Sequence, residues 1–200
     1  MAQDSCPIFR ARIFFNFKGG GILKLKGERI VIRNLKFSDA DNFYEYGKDP
    51  LVGPMAGWKP FPSKEVSDRM LTSNMINKEM FAITLEDKLI GTISLYNKPY
   101  RKYNKAKTLG FSLKSDYWNQ GIMTEAVKLM IHFVFKKTDC ELLEVAHHTD
   151  NLRSKRVIEK CGFSYDGRFN KYKVLYDGKL IDVDFYSMEK IEYERMYKHE

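Results

Sequence analysis

The pattern of apolar residues predicts a mixed α/β (α+β) domain built on one central sheet. Three observations carry this: period-two and helical spacings both recur, two strand-like runs follow one another as a hairpin near residues 80–95, and from residue 106 onward strands alternate with helices. A chain of 200 residues suits a single domain with a substantial core.

Each element has a local reason. Residues 1–27 read as an N-terminal extension that either holds a strand or forms an appendage, and "KGGGILKLKG" reads as flexible. In "RIVIRNL", Ile30, Ile32 and Leu35 nearly alternate, as a half-buried strand requires. Ser38 is placed to cap a short helix carrying Phe43 and Tyr44 and fading near Gly47. The proline- and glycine-rich "DPLVGPMAGWKPFP" is expected to be a loop, and Ser63 to open a second helix with Val66 and Met70, then Leu71 and Met75, four apart. "MFAITL", a turn at "EDK" and "IGTISL" form the hairpin, and "AKTLGFSL" is a further strand.

Val127, Met130, Ile131 and Val134 give "TEAVKLMIHFVFKK" the spacing of an amphipathic helix with a basic last turn. "CELLEVAHH" reads as a strand. "NLRSKRVIEKCGF" reads as a helix with Ser154, Val157, Ile158 and Cys161 on one face and Gly162 at its C-terminal cap. In "YKVLYDGKLIDVDFYSM", Asp177-Gly178 fits a two-residue type I′ hairpin turn. The main domain is therefore expected over 28–190, with 191–200 as a C-terminal tail.

Composition narrows the function classes. With 44% hydrophobic and 30% charged residues the chain is globular, not disordered. No window approaches the ~18 uninterrupted apolar residues of a membrane span. The first residues lack the apolar core and small-residue cleavage site of a secretory signal. Cys6, Cys140 and Cys161 make neither a metal pattern nor a disulfide framework, which points to a reducing, cytoplasmic setting. A net charge of +8 favours anionic partners without choosing among them.

The stretch "DYWNQGIMTEAV" is the most informative. It lies between a strand and a helix, and Gly121 lets backbone N–H groups come close to a ligand at the positive end of that helix, a combination that favours a phosphate or pyrophosphate. A glycine before a helix is by itself also the mark of an ordinary turn.

Taken in order, "ERIVIRNLKFSDADNFYEY", "YWNQGIMTEAV", "DNLRSKRVIEKCGF" and "DGKLIDVDFYSM" resemble the GNAT superfamily of N-acetyltransferases, and within it the ribosomal-protein N-terminal acetyltransferase group, from about Glu28 to Met188. The resemblance implies a GNAT fold, a single mixed central sheet flanked by helices and splayed between its fourth and fifth core strands, with acetyl-CoA as co-substrate in the opening and no metal. It implies that pantetheine pairs with the backbone of Phe111, Ser112 and Leu113, and that the pyrophosphate sits on Gln120, Gly121, Ile122, Met123 and Thr124. The chain departs from the family pattern at Trp118, where Gln or Arg is usual, and at Met123, where Gly or Ala is usual. Ile158 also stands in place of a Tyr that protonates the leaving thiolate, and Thr108 in place of a Glu on the fourth core strand.

The implied reaction is direct attack of a primary amine on the thioester. An α-amine with a pKa of about 8 needs less deprotonation than a lysine near 10.4, so water with a weak base suffices. Glu144 is a candidate relay or a surface carboxylate. Ser154 is either the group that helps the sulfur leave or a small residue at a crowded contact. Asn151 binds pantetheine, caps its own helix, or does both. Arg153, Lys155 and Arg156 meet the nucleotide phosphates or form a solvated face. Trp58 and Phe61 fall where the resemblance puts the acceptor wall. Neighbouring strand residues such as His147 and His148 point to opposite faces and cannot chelate one ion together, though either could face the acceptor cleft. Cys161 reads as a buried apolar residue.

The expected function is an acetyl-CoA-dependent N-acetyltransferase acting on a protein N-terminal α-amine or a small-molecule amine. Its rivals are a CoA-binding GNAT-fold regulator without catalysis and a basic nucleic-acid-binding module. The scattered cations and the lack of a nucleic-acid motif argue against the second rival, no membrane partner is expected, and a homodimer is left open.

Overall fold

The computed structural model describes residues 12–16 and 22–197. Its strands are β1 (Arg12–Asn16), β2 (Ile22–Lys26), β3 (Val31–Asn34), β4 (Met80–Leu85), β5 (Lys88–Tyr96), β6 (Ala106–Leu113), β7 (Leu142–His148), β8 (Ser164–Val174) and β9 (Leu180–Glu189). The helices are α1 (Ala40–Gly47), α2 (Gly53–Ala56), α3 (Lys64–Asn77), α4 (Ile122–Lys137), α5 (Leu152–Lys160) and α6 (Lys190–Met196). One nine-stranded sheet runs in the order β1 to β7, then β9, then β8. Among the described strands β6 and β7 alone pair in parallel.

Helices cover both faces. On one side α4 buries Ala126, Val127, Met130, Ile131 and Val134 completely against Leu25, Ile32, Ile93 and Leu109. On the other, Phe43 and Tyr46 of α1 and Leu71 of α3 pack on Ala82 and Leu89. The central strands β4 and β5 are accordingly buried on both faces and read as near-continuous apolar runs.

The described part of residues 1–27 continues this sheet. Strand β2, within the stretch read as flexible, pairs with β3 and buries Leu23 and Leu25 in the main core. Residues 1–11 and 17–21, with the whole glycine run at 19–21 and Cys6, lie outside the described residues. At the other end α6 seals the foot of α4, where Tyr193 is buried and stacks on Phe135 at 5.1 Å.

Several local expectations need correction. Ser38 lies inside a single 3₁₀ turn, Phe37–Asp39, and caps nothing. Helix α1 begins at Ala40 because the buried Asp39 accepts from both Arg33 Nη atoms at 2.7 and 2.8 Å and from the Lys36 N–H at 2.9 Å. The expected loop at 49–62 contains α2, with Pro54 in its first turn and Gly57 ending it at φ 88°. The turn after β8 is not type I′: only Gly178 has positive φ, and Leu175 and Lys179 close a three-residue loop with a left-handed glycine. The two-residue turn with both φ positive occurs instead at Glu86-Asp87. Ser63 does cap α3, accepting from the Val66 N–H at 3.4 Å.

Asp39→Ala leaves a guanidinium whose side chain is 13% exposed with only the solvent-exposed Asp87, at 3.4 Å, as its ion-pair partner. The expected loss is about 3 kcal/mol, a fall of roughly 6–12 °C in the unfolding midpoint measured by calorimetry.

Candidate active site in the opening of the sheet

The parallel pairing of β6 with β7 starts at Ala106 and Leu142 and ends at Leu109 and Val145. Beyond that point β6 stays on β5 as far as Leu113, and β7 stays on β9 as far as His148. The two halves of the sheet therefore part between β6 and β7, the fourth and fifth strands counted from β3. Because the Lys114 N–H bonds Ile90 O at 2.9 Å, antiparallel alternation turns the N–H and C=O groups of Phe111 and Leu113 toward the gap. The Leu113 carbonyl accepts there from Trp118 Nε1 at 2.8 Å.

Two cavities open into the gap. One, of about 240 Å³, lies over the start of α4 and α5 and is lined by Phe111, Ser112, Leu113, Gly121, Ile122, Met123 and Thr124, with Asn151, Ser154 and Arg156 opposite. The other, of about 520 Å³, runs along the opposite face of the sheet between Trp58, Tyr96, Tyr100, His148, Tyr172 and Phe185. Met55, Ala56, Phe111, Ser112, Asn151 and Ser154 line both, so the cavities meet at the parting of the strands.

The loop before α4 leaves backbone donors uncapped. Asn119 and Gly121 have φ of 60° and 76°, and no side chain caps α4, so the N–H groups of its first turn keep their donors for a ligand. Arg29 holds this turn from β2's side. Its Nε pairs with the buried Glu125 Oε2 at 3.0 Å, its N–H bonds Oε1 at 3.0 Å, and its Nη1 donates to Gln120 O at 2.8 Å. Gln120 itself turns away, with Nε2 on Asp116 O at 3.0 Å, and does not line the cavity. Met123 is buried in the core yet still borders the cavity, and the Trp118 ring stacks under Arg153 at 4.4 Å. Of the cations on α5, Arg153, Arg156 and Lys160 face the cavity, whereas Lys155 lies off it and pairs with Glu159 at 3.7 Å.

The remaining sequence candidates separate. Ser154 stands where the cavities join, its N–H bonded to Asn151 Oδ1 at 3.1 Å. Asn151 thus caps α5, and its Nδ2 donates to Met55 O at 3.1 Å, tying α5 to α2. Trp58 lines the larger cavity. Phe61 lines neither; it is 7% exposed, packs on Phe43 at 5.6 Å, and closes the space over Gly47. Glu144 is fully buried, so it is no surface carboxylate. Its oxygens accept from the Tyr100 N–H and Arg101 Nη1, both at 2.7 Å, and it lines neither cavity.

Sequence reasoning missed one feature. Tyr46 bonds Thr92 Oγ1 at 3.0 Å and also Ser112 Oγ, and burial raises its pKa to about 12, so it anchors β6 as a neutral hydroxyl at the cleft floor. An aromatic residue on an apolar helix face gives no sign of that partner. The histidines of β7 both border the larger cavity but are held differently. His147 is buried, donates from Nδ1 to His148 O at 2.6 Å, and stacks on Tyr186. His148 has a pKa held below its ordinary 6.5 by burial and by Lys173. Among the described residues no group of His, Cys, Asp and Glu is arranged to hold a metal ion.

Residues 29–164 match the profile of the acetyltransferase (GNAT) domain, and the chain belongs to that family. It is similar to an uncharacterized N-acetyltransferase, p20, of Bacillus licheniformis, 27% identical over 173 residues that span 83% of this chain and 96% of that protein. The ribosomal-protein-S5-alanine acetyltransferase of Vibrio fischeri superposes with a TM-score of 0.68 at 27% identity, covering 84% of this chain and 96% of that one. A microcin C7 self-immunity acetyltransferase, solved with acetyl-CoA and AMP, shares the fold with a TM-score of 0.71 at 22% identity over 81% of this chain and 93% of its own. The protein is an acetyl-CoA-dependent N-acetyltransferase. The uncapped turn, the unpaired strand edge and the cations of α5 fit that co-substrate.

Gly121→Val forces a β-branched residue into left-handed backbone. A distortion of about 1–2 kcal/mol should weaken acetyl-CoA binding about tenfold, measured by titration calorimetry.

Proposed function

We propose that the acceptor is a primary α-amine, such as a protein N-terminus, that enters through the larger cavity and meets the thioester beside Ser154. The observation that carries this reading is the junction of the two cavities at Ser154 and at the free edge of Phe111. When bound, acetyl-CoA supplies an activated acetyl group on sulfur. The Phe111 N–H, on the unpaired edge, polarises a carbonyl laid along it. Ser154 Oγ–H would donate a hydrogen bond to the sulfur, which departs as the thiolate as its bond to the acetyl carbon breaks and the amine's bond to that carbon forms.

The amine must arrive or become neutral. Among the described residues no Asp or Glu lines the larger cavity, so nothing there holds the acceptor as an ammonium ion. His148, its pKa held below the ordinary 6.5 by burial and by Lys173, lines the same cavity and takes the proton that the amine releases. The charges around it are Lys173 of β8, His147 of its own strand, and Asp150 and Lys179 beyond. Cytoplasm suits the buried thiols Cys140 and Cys161, whose pKa values are raised by burial to about 11 and about 12 and which form no disulfide.

Ser154→Ala should lower kcat about tenfold or more while leaving the acetyl-CoA dissociation constant within about twofold; an unchanged kcat removes Ser154 from the reaction. A base is active only when deprotonated, so activity falls with decreasing pH twice, first through the amine and again below 6.5 as His148 protonates. In His148→Gln the lower break should vanish from the kcat/KM profile, and a profile that keeps it excludes this role.

A further inference from the structure

We propose that this enzyme selects acceptors that carry negative charge close to the reacting amine, a carboxylate or phosphate held by Lys173 and Lys98 at the mouth of the larger cavity. The inference rests on the acetyltransferase reading of the site and specifies its acceptor.

The charge balance of the cavity is one-sided. Lys98 and Lys173 line it, and not one carboxylate does among the described residues. The nearby carboxylates are held elsewhere. Arg168 takes Asp184 at 2.7 Å, Arg101 takes Glu144 and Asp166 at 2.7 Å, the Lys171 N–H takes Asp182 at 2.8 Å, and Lys179 lies 3.6 Å from Asp150. Lys98 and Lys173 are outside these pairs.

The backbone also directs Lys173 inward. Between Phe169 and Lys173 the ladder of β8 slips, so that three residues, Asn170 to Tyr172, oppose Asp182 alone. Lys171 sits in this bulge with φ of 53°. Such a bulge re-aims side chains beside a site. Here it lays Tyr172 edge-on against Phe185 at 5.0 Å and sets Lys173 opposite the buried Ile181, on the cavity face. Lys173 Nζ then lies 2.7 Å, and His148 Nε2 3.6 Å, from the point where Gly57 would carry a Cβ. The ammonium group and the imidazole thus flank one spot at the end of α2.

A cation there has two effects. It repels an ammonium ion and so favours the neutral, reactive form of the amine. It also penalises basic acceptors and rewards those that bring a compensating anion. The lysines are exposed at the rim, so the effect is moderate and screened by salt.

The test measures kcat/KM by thiol release at fixed pH and low ionic strength. The acceptors are N-terminal peptides of common length with glutamate, glutamine or lysine at their second to fourth positions, together with O-phosphoserine and serinamide. The expected order is acidic, neutral, basic, with acidic over neutral by roughly tenfold and the gap shrinking at 0.5 M salt. Lys98→Gln with Lys173→Gln should bring the acidic-to-neutral ratio toward one, and Lys173→Glu should reverse the order. A preference confined to O-phosphoserine over serinamide also supports the proposal and marks the acceptor as a small molecule. Equal rates across the charge series, or a preference for lysine peptides, overturn it while leaving the acetyltransferase reading intact. Absence of thiol release with every amine, although acetyl-CoA raises the unfolding temperature, overturns both.

Discussion

Everything at the site depends on where β6 and β7 stop pairing. Up to Leu109 and Val145 they form an ordinary parallel ladder; past that point each strand is satisfied only on its outer edge, β6 by β5 and β7 by β9. A sheet interior cannot leave backbone donors and acceptors unpaired without a ligand, water or side chain to meet them. The Trp118 indole meets one such carbonyl, that of Leu113, and the neighbouring groups at Phe111 are left facing the gap. At the same parting the two cavities meet, sharing Phe111, Ser112, Asn151 and Ser154 in their walls.

The parting is held open by packing on each side. Helix α4 lies across the sheet with its middle turns fully buried, and its first turn is tied to the chain before β3 by Arg29 and Glu125. This bond also fixes the loop that borders the smaller cavity. On the other face the Tyr46, Thr92 and Ser112 hydroxyls fasten α1 and β5 to the free end of β6. Asp49 accepts from the Ser115 N–H and Oγ at 3.1 and 2.6 Å and anchors the chain leading into α2. Asn151 then joins α2 to α5 across the junction.

Charge is distributed with the same division of labour. Buried anions serve the scaffold: Asp39 holds Arg33, Glu125 holds Arg29, and Glu144 holds Arg101. The cleft is left to cations and neutral hydroxyls, with Arg153, Arg156 and Lys160 lining the smaller cavity and Lys98 and Lys173 the larger. A net charge of +8 gave no hint of this arrangement, because total charge says nothing about which ions are already paired.

Most of the architecture was legible in sequence, since alternation and helical spacing report burial directly. The run "AKTLGFSL" is strand β6 from end to end, and Ser63 and Asn151 are the caps of α3 and α5. Where local chemistry misled, a tertiary contact had prevailed. Ser38 lost its cap to a buried aspartate, Leu23 and Leu25 drew a glycine-flanked segment into the sheet, and Phe61 filled the core over Gly47 instead of a substrate wall. Sequence alone determined the order of elements, the glycine turn at Gly121 before α4 and the placement of Ser154 at the head of a helix. Only the tertiary structure decided that Glu144 is locked away by Arg101, that His148 and Lys173 converge on Gly57, and that Tyr46 supports Ser112. Those pairs lie far apart in the chain, and no local periodicity encodes which buried or bulged positions the fold will bring together.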